Sequence, residues 1–144
     1  MDSVLPSRET PFGERVALRL RDEVVIWLTT TGADGTPQPN PVWFYWDEVG
    51  QSILVYSLSR AARLGHIDRN PRVSLNFDGN GKGGDIIVLT GAARLSPEDP
   101  SADQHSAYTE KYRDLIARAF GTPENFAAQY SAALRITPSR VRGG

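Results

Sequence analysis

"SLSRAARLGHIDRNPRVSLNFD", residues 57–78, closes one strand, passes through a short helix and opens another strand. Ser59 is placed to cap a helix running from Arg60 to about Arg69, and Pro71 disfavours helical backbone at Asn70, which ends it. The segment "RVSLNFD" (72–78) then alternates, with Val73, Leu75 and Phe77 inward and Ser74, Asn76 and Asp78 outward. On the helix, Leu64 and Ile67 point to a core, whereas Arg60 and Arg63 share another face of the first turn. Cations at a helix start oppose the dipole unless an anion joins them. Two readings are therefore open. One is a solvated helix start; the other is a phosphate site built from the two arginines and the hydroxyls of Ser57 and Ser59.

Upstream of this stretch the chain reads as an antiparallel meander. "VVIWLTTT" (24–31), "NPVWFYWD" (40–47) and "SILVYSLS" (52–59) are β-branched and aromatic, separated by the turn "GADGTPQP" (32–39) and by "EVGQ". Before them, residues 1–12 form an irregular lead-in and "GERVALRLRD" (13–22) an amphipathic helix. Downstream, "GNGKGG" (79–84) is a hairpin tip and "DIIVLTGAARL" (85–95) the return strand. "ADQHSAYTEKYRDLIARAF" (102–120) is the strongest helix. "TPENFAAQY" follows as a second, with a Thr cap and Pro at its first position. "SAALRITPSRVRG" closes the chain as a strand. The expectation is one domain over 1–144, mainly β with short helices.

Several strands are apolar on both faces, notably 24–28 and "VWFYW". An antiparallel strand with one wet face alternates more cleanly. Double-sided apolarity in so short a chain predicts a closed barrel covered outside by helices or by a second subunit, and a homodimer is the economical form.

Composition narrows the chemistry. A formal net charge of −1 over 144 residues gives no basic field for nucleic acid and no charged block for a membrane surface. The absence of cysteine removes disulfides, thiolate catalysis and Cys-based metal sites, and favours the cytosol. His66 and His105 have no metal-ligand spacing, so no metal site is expected. "DGNGKGGD" lacks the phosphate-loop spacing and leads into a strand, so it reads as a mobile tip. "PVWFYW" reads as a barrel or interface strand rather than a stacking platform for single strands. Asp47, Glu48, Asp68, Asp78 and Asp85 fall mostly at turns, and no two of them form an acid/base couple. Tyr108, Tyr112 and Leu115 form a packing stripe; His66 is a ligand contact or a solvated residue sooner than a base.

The order "TTTGADGTPQPNPVWFYWD", "ILVYSLSRAARLGHIDRNPRVSLNFD", "GGDIIVLTGAARL" resembles the split β-barrel flavin and deazaflavin oxidoreductases of the pyridoxamine 5'-phosphate oxidase-like superfamily. Within it, the likeness is to the small actinobacterial group described as F420-dependent enzymes. It spans about residues 13–142, and its most specific part is a basic residue followed by "L-x-x-I-x-x-N-P-R-V-S-L". The resemblance implies a split antiparallel barrel flanked by short helices, assembled as a homodimer with the cofactor cleft between subunits. It implies that backbone groups of Val42 and Trp43 lie against the cofactor ring. Tyr56, Ser57, Ser59 and Arg60 would meet the ribityl-phosphate part, and Arg63, where the family usually has lysine, would hold the phosphate. Asn76 matches a position that reaches the cofactor across the dimer.

The function implied is hydride transfer between reduced F420 and an unsaturated organic substrate, with the cofactor carrying the chemistry and no catalytic side chain named. The alternatives are the same fold using FMN as an oxidase or reductase, or a non-catalytic flavin- or haem-binding protein. The polyglutamate tail of F420 calls for further cations, for which Arg60, Arg69 and Lys82 are available.

Overall fold

The computed structural model describes residues 3–144; the first two residues of the lead-in lie outside it. The lead-in is shorter than the sequence suggests. Helix α1 spans Pro11–Asp22, with the Thr10 hydroxyl accepting from the Gly13 N–H at 3.0 Å and proline in the first turn.

Seven antiparallel strands follow: β1 (Val25–Thr31), β2 (Pro37–Trp43), β3 (Tyr45–Asp47), β4 (Ser52–Ser57), β5 (Arg72–Asn76), β6 (Ile87–Leu95) and β7 (Ala132–Gly143). Their order in the sheet is β2-β1-β5-β6-β7-β4-β3. The two edges, β2 and β3, are therefore neighbours in sequence with only Phe44 between them. The sheet curls until its edges meet, the chain steps across at Phe44, and no ladder joins the two edge strands. This is a split barrel.

The sequence reads 40–47 as one strand because the alternation never falters: Val42, Phe44 and Trp46 are buried, while Trp43 and Tyr45 are half-buried on the other face. What changes at Phe44 is the partner. Val42 pairs with Ile26 of β1, whereas Tyr45 pairs with Leu54 of β4. Pairing also starts earlier than the composition suggests, at Pro37, so the hairpin tip shrinks to Gly32–Thr36 with Gly35 at a φ of 87°. Pro37, Pro39 and Pro41 fall at every second residue of this edge strand. Since hydrogen-bonding direction alternates along a strand, the prolines take the positions facing the free edge, where no donor is needed. They also keep that edge from closing on another strand.

Inside the barrel, Ile26, Leu28, Phe44, Ile53, Val55, Leu75, Leu89 and Ile136 form one core, capped by Val16 and Leu20 of α1. At Thr90/Gly91 a bulge shifts the β6–β7 register; a Cβ on Gly91 would stand 2.1 Å from the Thr137 carbonyl, so only glycine fits the close approach.

Four helical pieces complete the chain: α2 (Ala62–Arg69), a 3-10 turn (Ala102–Gln104), α3 (Ser106–Phe120) and α4 (Pro123–Gln129). The Thr122 cap and Pro123 start of α4 follow the sequence reading. The single helix expected over 102–120 is instead broken at His105, whose extended backbone and ring Nδ1, accepting from the Tyr108 N–H at 3.1 Å, make it the cap of α3. The return strand expected from residue 85 starts at Ile87, because Asp85 adopts a positive φ of 56° and pairs with Arg15 at 2.9 Å and Arg19 at 2.6 Å.

A second core lies outside the barrel. Leu54 and Tyr56 of β4 pack there with Tyr108, Tyr112, Ile116 and Phe126, bordered by Trp43 and Tyr45. The two-sided apolarity of 42–46 is thus covered largely within one chain, by α3 and α4, the helical cover that the sequence reading allowed beside a second subunit. The outer face of β1 differs: Val25 remains 38% exposed and Trp27 half-buried, and Val24, just ahead of the strand, is 44% exposed. Among the described residues no helix is long and apolar enough to cross a membrane.

Candidate functional site

Phe44 leaves both strands, so its buried backbone groups need partners from elsewhere. Helix α3 supplies them. The Tyr112 hydroxyl accepts from the Phe44 N–H at 2.8 Å and donates to the Val24 carbonyl at 2.7 Å; Lys111 Nζ donates to the Phe44 carbonyl at 2.8 Å. The Lys111 ammonium also stands 3.7 Å over the Phe44 ring. Burial pulls its pKa down to about 8, a cost that Asp22 and Glu23 partly offset. Two consecutive residues of one helix thereby pin the step between the sheet edges.

Beside this seam lies a cavity of about 230 Å³. One wall is Pro41, Val42 and Trp43 of the free edge, facing Tyr56, Leu58, Ala61 and Arg63; the other is Tyr108, Phe120, Phe126 and Tyr130 from the helical layer. By the alternation that places the prolines, Trp43 turns its backbone toward the free edge. Its indole is stacked on Tyr112 (4.7 Å, 5°) and on Phe126 (5.4 Å, 21°), so side-chain packing fixes the strand that lines the cavity.

Arg63 is the cation of the cavity. Its Nη1 donates to the Ser57 hydroxyl at 2.5 Å, and among the described residues no carboxylate forms a salt bridge with it. Burial lowers its pKa, with Tyr130 opposing. A half-buried guanidinium held by a neutral hydroxyl keeps most of its donors free for an anion. Ser57, fully buried, orients Arg63 from behind.

The neighbouring turn differs from the sequence reading. The chain leaves β4 through a turn closed by the Ala61 N–H on the Leu58 carbonyl at 3.1 Å, and α2 begins only at Ala62, capped by Ala61 with no side-chain bond. Ser59 does not cap the helix, and Arg60 lies before it rather than sharing a turn with Arg63. Both are exposed and outside the cavity lining. Of the residues named from sequence, Val42, Trp43, Tyr56 and Arg63 meet at the cavity, with Ser57 behind Arg63. Asn76 lies elsewhere, in a shallow surface depression with Trp27 and Pro39. His66 faces the barrel, its Nδ1 2.9 Å from the Thr30 hydroxyl.

The aromatic wall was legible only as a packing stripe. Within it, Tyr56 donates to the Pro100 carbonyl at 2.7 Å, and burial with the Asp99 charge pushes its pKa up to about 12. The Tyr108 hydroxyl is buried and has no hydrogen-bond partner among the described residues. Leaving such a group unpaired costs about 1–3 kcal/mol.

Behind Tyr56, Arg135 ties the turn 96–100 to the sheet. It donates to Asp99 through Nε (2.8 Å) and Nη2 (2.6 Å), and to Asp47 through Nη1 (2.8 Å). Asp99 also accepts from Ser96. The bond with Arg135 holds the Asp99 pKa down to about 2, helped by the Ser96 hydroxyl. Neither Asp99 nor Arg135 stood out in the sequence, being distant in it and unremarkable in type.

Solved structures of the same fold include an F420 reductase (21% identity over 88% of this chain and 94% of that one, TM-score 0.67). General Stress Protein 26 from Bacillus anthracis shares 18% identity over 89% of each chain, with a TM-score of 0.63. The heme storage protein HutZ from Vibrio cholerae shares 14% over 90% of this chain and 93% of that one, with a TM-score of 0.61. At these identities the likeness is one of fold. Among curated proteins none matches the chain significantly. The sequence profile of pyridoxamine 5'-phosphate oxidase, in contrast, matches residues 12–143, nearly the whole chain. The chain belongs to the pyridoxamine 5'-phosphate oxidase family.

Proposed function

We propose that the protein is an oxidoreductase that binds the deazaflavin F420 and reduces an unsaturated organic substrate. The observation that carries this is Arg63: a half-buried cation without a carboxylate partner among the described residues, at the mouth of an aromatic cavity in the seam of the barrel. That donor set fits the phosphate of a flavin-like cofactor. Arg63 would hold the phosphate and Ser57 would fix the guanidinium. The backbone of Trp43 would face the ring; that of Val42, named beside it from the sequence, pairs with Ile26 of β1 instead. When bound, the cofactor supplies the hydride. The chain's own work is to position it and to exclude water, through Trp43, Tyr56, Phe120 and Phe126.

FMN would use the same Arg63, so the choice of F420 rests on the likeness of the 57–78 stretch. Exposed Arg60, just ahead of Arg63, is the cation best placed to extend the site toward an acidic tail. Lys82 sits in the 79–84 segment and outside the cavity lining. Haem storage finds less support: neither histidine lines the cavity, His66 being engaged by Thr30 and His105 by the start of α3.

The cavity, at about 230 Å³, is smaller than the roughly 300–1,000 Å³ of common small-molecule sites. One chain therefore encloses only part of such a ligand. This supports a homodimer in which the exposed β1 face and Asn76 complete the cleft. Light scattering at micromolar concentration is expected to give twice the 15.8 kDa chain mass, and a stable monomer would contradict it. The activity itself is tested by mixing the protein with reduced F420 and a panel of conjugated enones and quinones. Enzyme-dependent return of the oxidised cofactor's absorbance is expected with at least one of them; none across the panel would leave a binding protein.

A further inference from the structure

We propose that Lys111 is a positioning residue of the seam cavity: by holding the Phe44 carbonyl, its ammonium fixes the neighbouring Trp43 backbone, which faces the free edge at the cavity. The inference rests on reading that cavity as the cofactor site, and it adds a residue that reading does not use.

The free edge of β2 offers a ligand few donors. Pro37, Pro39 and Pro41 take three of its four edge-facing positions, so Trp43 alone carries an N–H there. No neighbour on the strand can replace that group if its direction changes. The direction is set by the residue that follows. The Trp43 carbonyl and the Phe44 N–H belong to one planar unit and point opposite ways. Tyr112, whose hydroxyl accepts from the Phe44 N–H at 2.8 Å, therefore sets where the Trp43 carbonyl points.

Tyr112 cannot hold both ends of Phe44. Its oxygen lies 2.7 Å from the Val24 carbonyl and 2.9 Å from the Phe44 carbonyl, but a hydroxyl has one proton to give. Given to Val24, the proton ties the seam to the start of β1 and leaves the Phe44 carbonyl without a donor. Lys111 supplies the missing one. Its Nζ donates to that carbonyl at 2.8 Å and stands 3.7 Å over the Phe44 ring, and among the described residues it forms no salt bridge.

Loss of the proton weakens both contacts, because a neutral amine is the poorer donor and is not drawn to the ring face. Burial pulls the Lys111 pKa down to about 8, with Asp22 and Glu23 at the end of α1 opposing. The other groups around it are Tyr112, whose pKa burial raises, and Arg8, Arg21, Glu48 and Glu110 along the groove it shares with the lead-in and β3. Carboxylates and guanidiniums as classes keep their charges between about pH 7 and 9.5. The hold on Phe44 is therefore expected to slacken across that interval.

Lys111→Met removes the ammonium and keeps an unbranched apolar stem. It should fold, since the Tyr112 hydroxyl stays within reach of the Phe44 carbonyl. Both proteins are titrated calorimetrically with F420 and with FMN at about pH 7 and about pH 9.5, on either side of the Lys111 transition, with thermal melts alongside. Wild-type affinity is expected to fall about 3- to 10-fold at the higher pH, the size of one neutral hydrogen bond. Lys111→Met should already bind that weakly at the lower pH and change less between the two. The α-amino group titrates in the same interval. Both proteins carry it, so an equal fall in both would overturn the proposal. Wild-type affinity that is level with pH, equal affinities of the two proteins at the lower pH, or an unfolded Lys111→Met would overturn it as well and leave the cavity reading intact. Wild-type protein that binds neither cofactor defeats the proposed function, and the positioning role with it.

Discussion

Arg63→Ala is expected to weaken F420 binding about 10- to 100-fold, since a hydrogen bond to a charged group contributes about 1.5–3 kcal/mol. The protein should remain folded. Arg63 has no carboxylate partner among the described residues, so its removal strands no opposite charge; it frees only the Ser57 hydroxyl. Arg63→Lys should recover much of the loss, because a point charge suffices for phosphate even without the fork geometry. Arg69, exposed at the far end of α2, provides the control, and Arg69→Ala should cost less. Binding titrations with thermal melts on the three variants decide the matter. Unchanged affinity in a folded Arg63→Ala protein would make the cation an ordinary helix-start residue.

The largest expected stability effect belongs to Arg135. Its side chain is 15% exposed, against 11% for Asp99 and 28% for Asp47. Arg135→Ala leaves both carboxylates without their cation, which should cost about 3 kcal/mol and lower the thermal midpoint by roughly 10 °C. The sign with pH follows from Asp99. Its folded pKa of about 2 lies below the ordinary 3.8, so its contribution is fully present above pH 3.8 and lost as pH falls through about 2. Wild type should therefore lose midpoint between about pH 4 and 2, and Arg135→Ala should show a shallower loss over the same interval. Parallel acid limbs in the two proteins would show that the pair does not stabilise the fold. Because the turn 96–100 carries the Pro100 carbonyl that holds Tyr56, the variant should also soften one wall of the cavity.

The readable parts of this fold are those governed by local pattern. The inward set Val73, Leu75 and Phe77, the Thr122 cap and the β-branched run of β1 each follow from neighbours in sequence. Phe44 shows where such reading ends. Its alternation is uninterrupted, and the change of partner at that residue depends on a sheet curled through seven strands and on Tyr112 and Lys111, 67 or 68 positions away. Ser59 was a plausible cap by type, yet a tight turn at the strand end delays the helix to Ala62. His105 looked like any helical residue, although its ring ends one turn and starts the next helix. In the candidate site, Arg63 was legible because a charge in a helix start is unusual. Tyr108 was not, because a tyrosine at helical spacing reads as packing whether or not it lines a cavity.

On the function proposed above, the seam cavity with Arg63 in its lining takes F420 in preference to FMN. Parallel titration of the purified, dialysed protein with the two cofactors decides between them. Saturable F420 binding with weaker FMN binding is the expected result. Protein that emerges yellow with tightly bound FMN, or that binds neither cofactor, would contradict it.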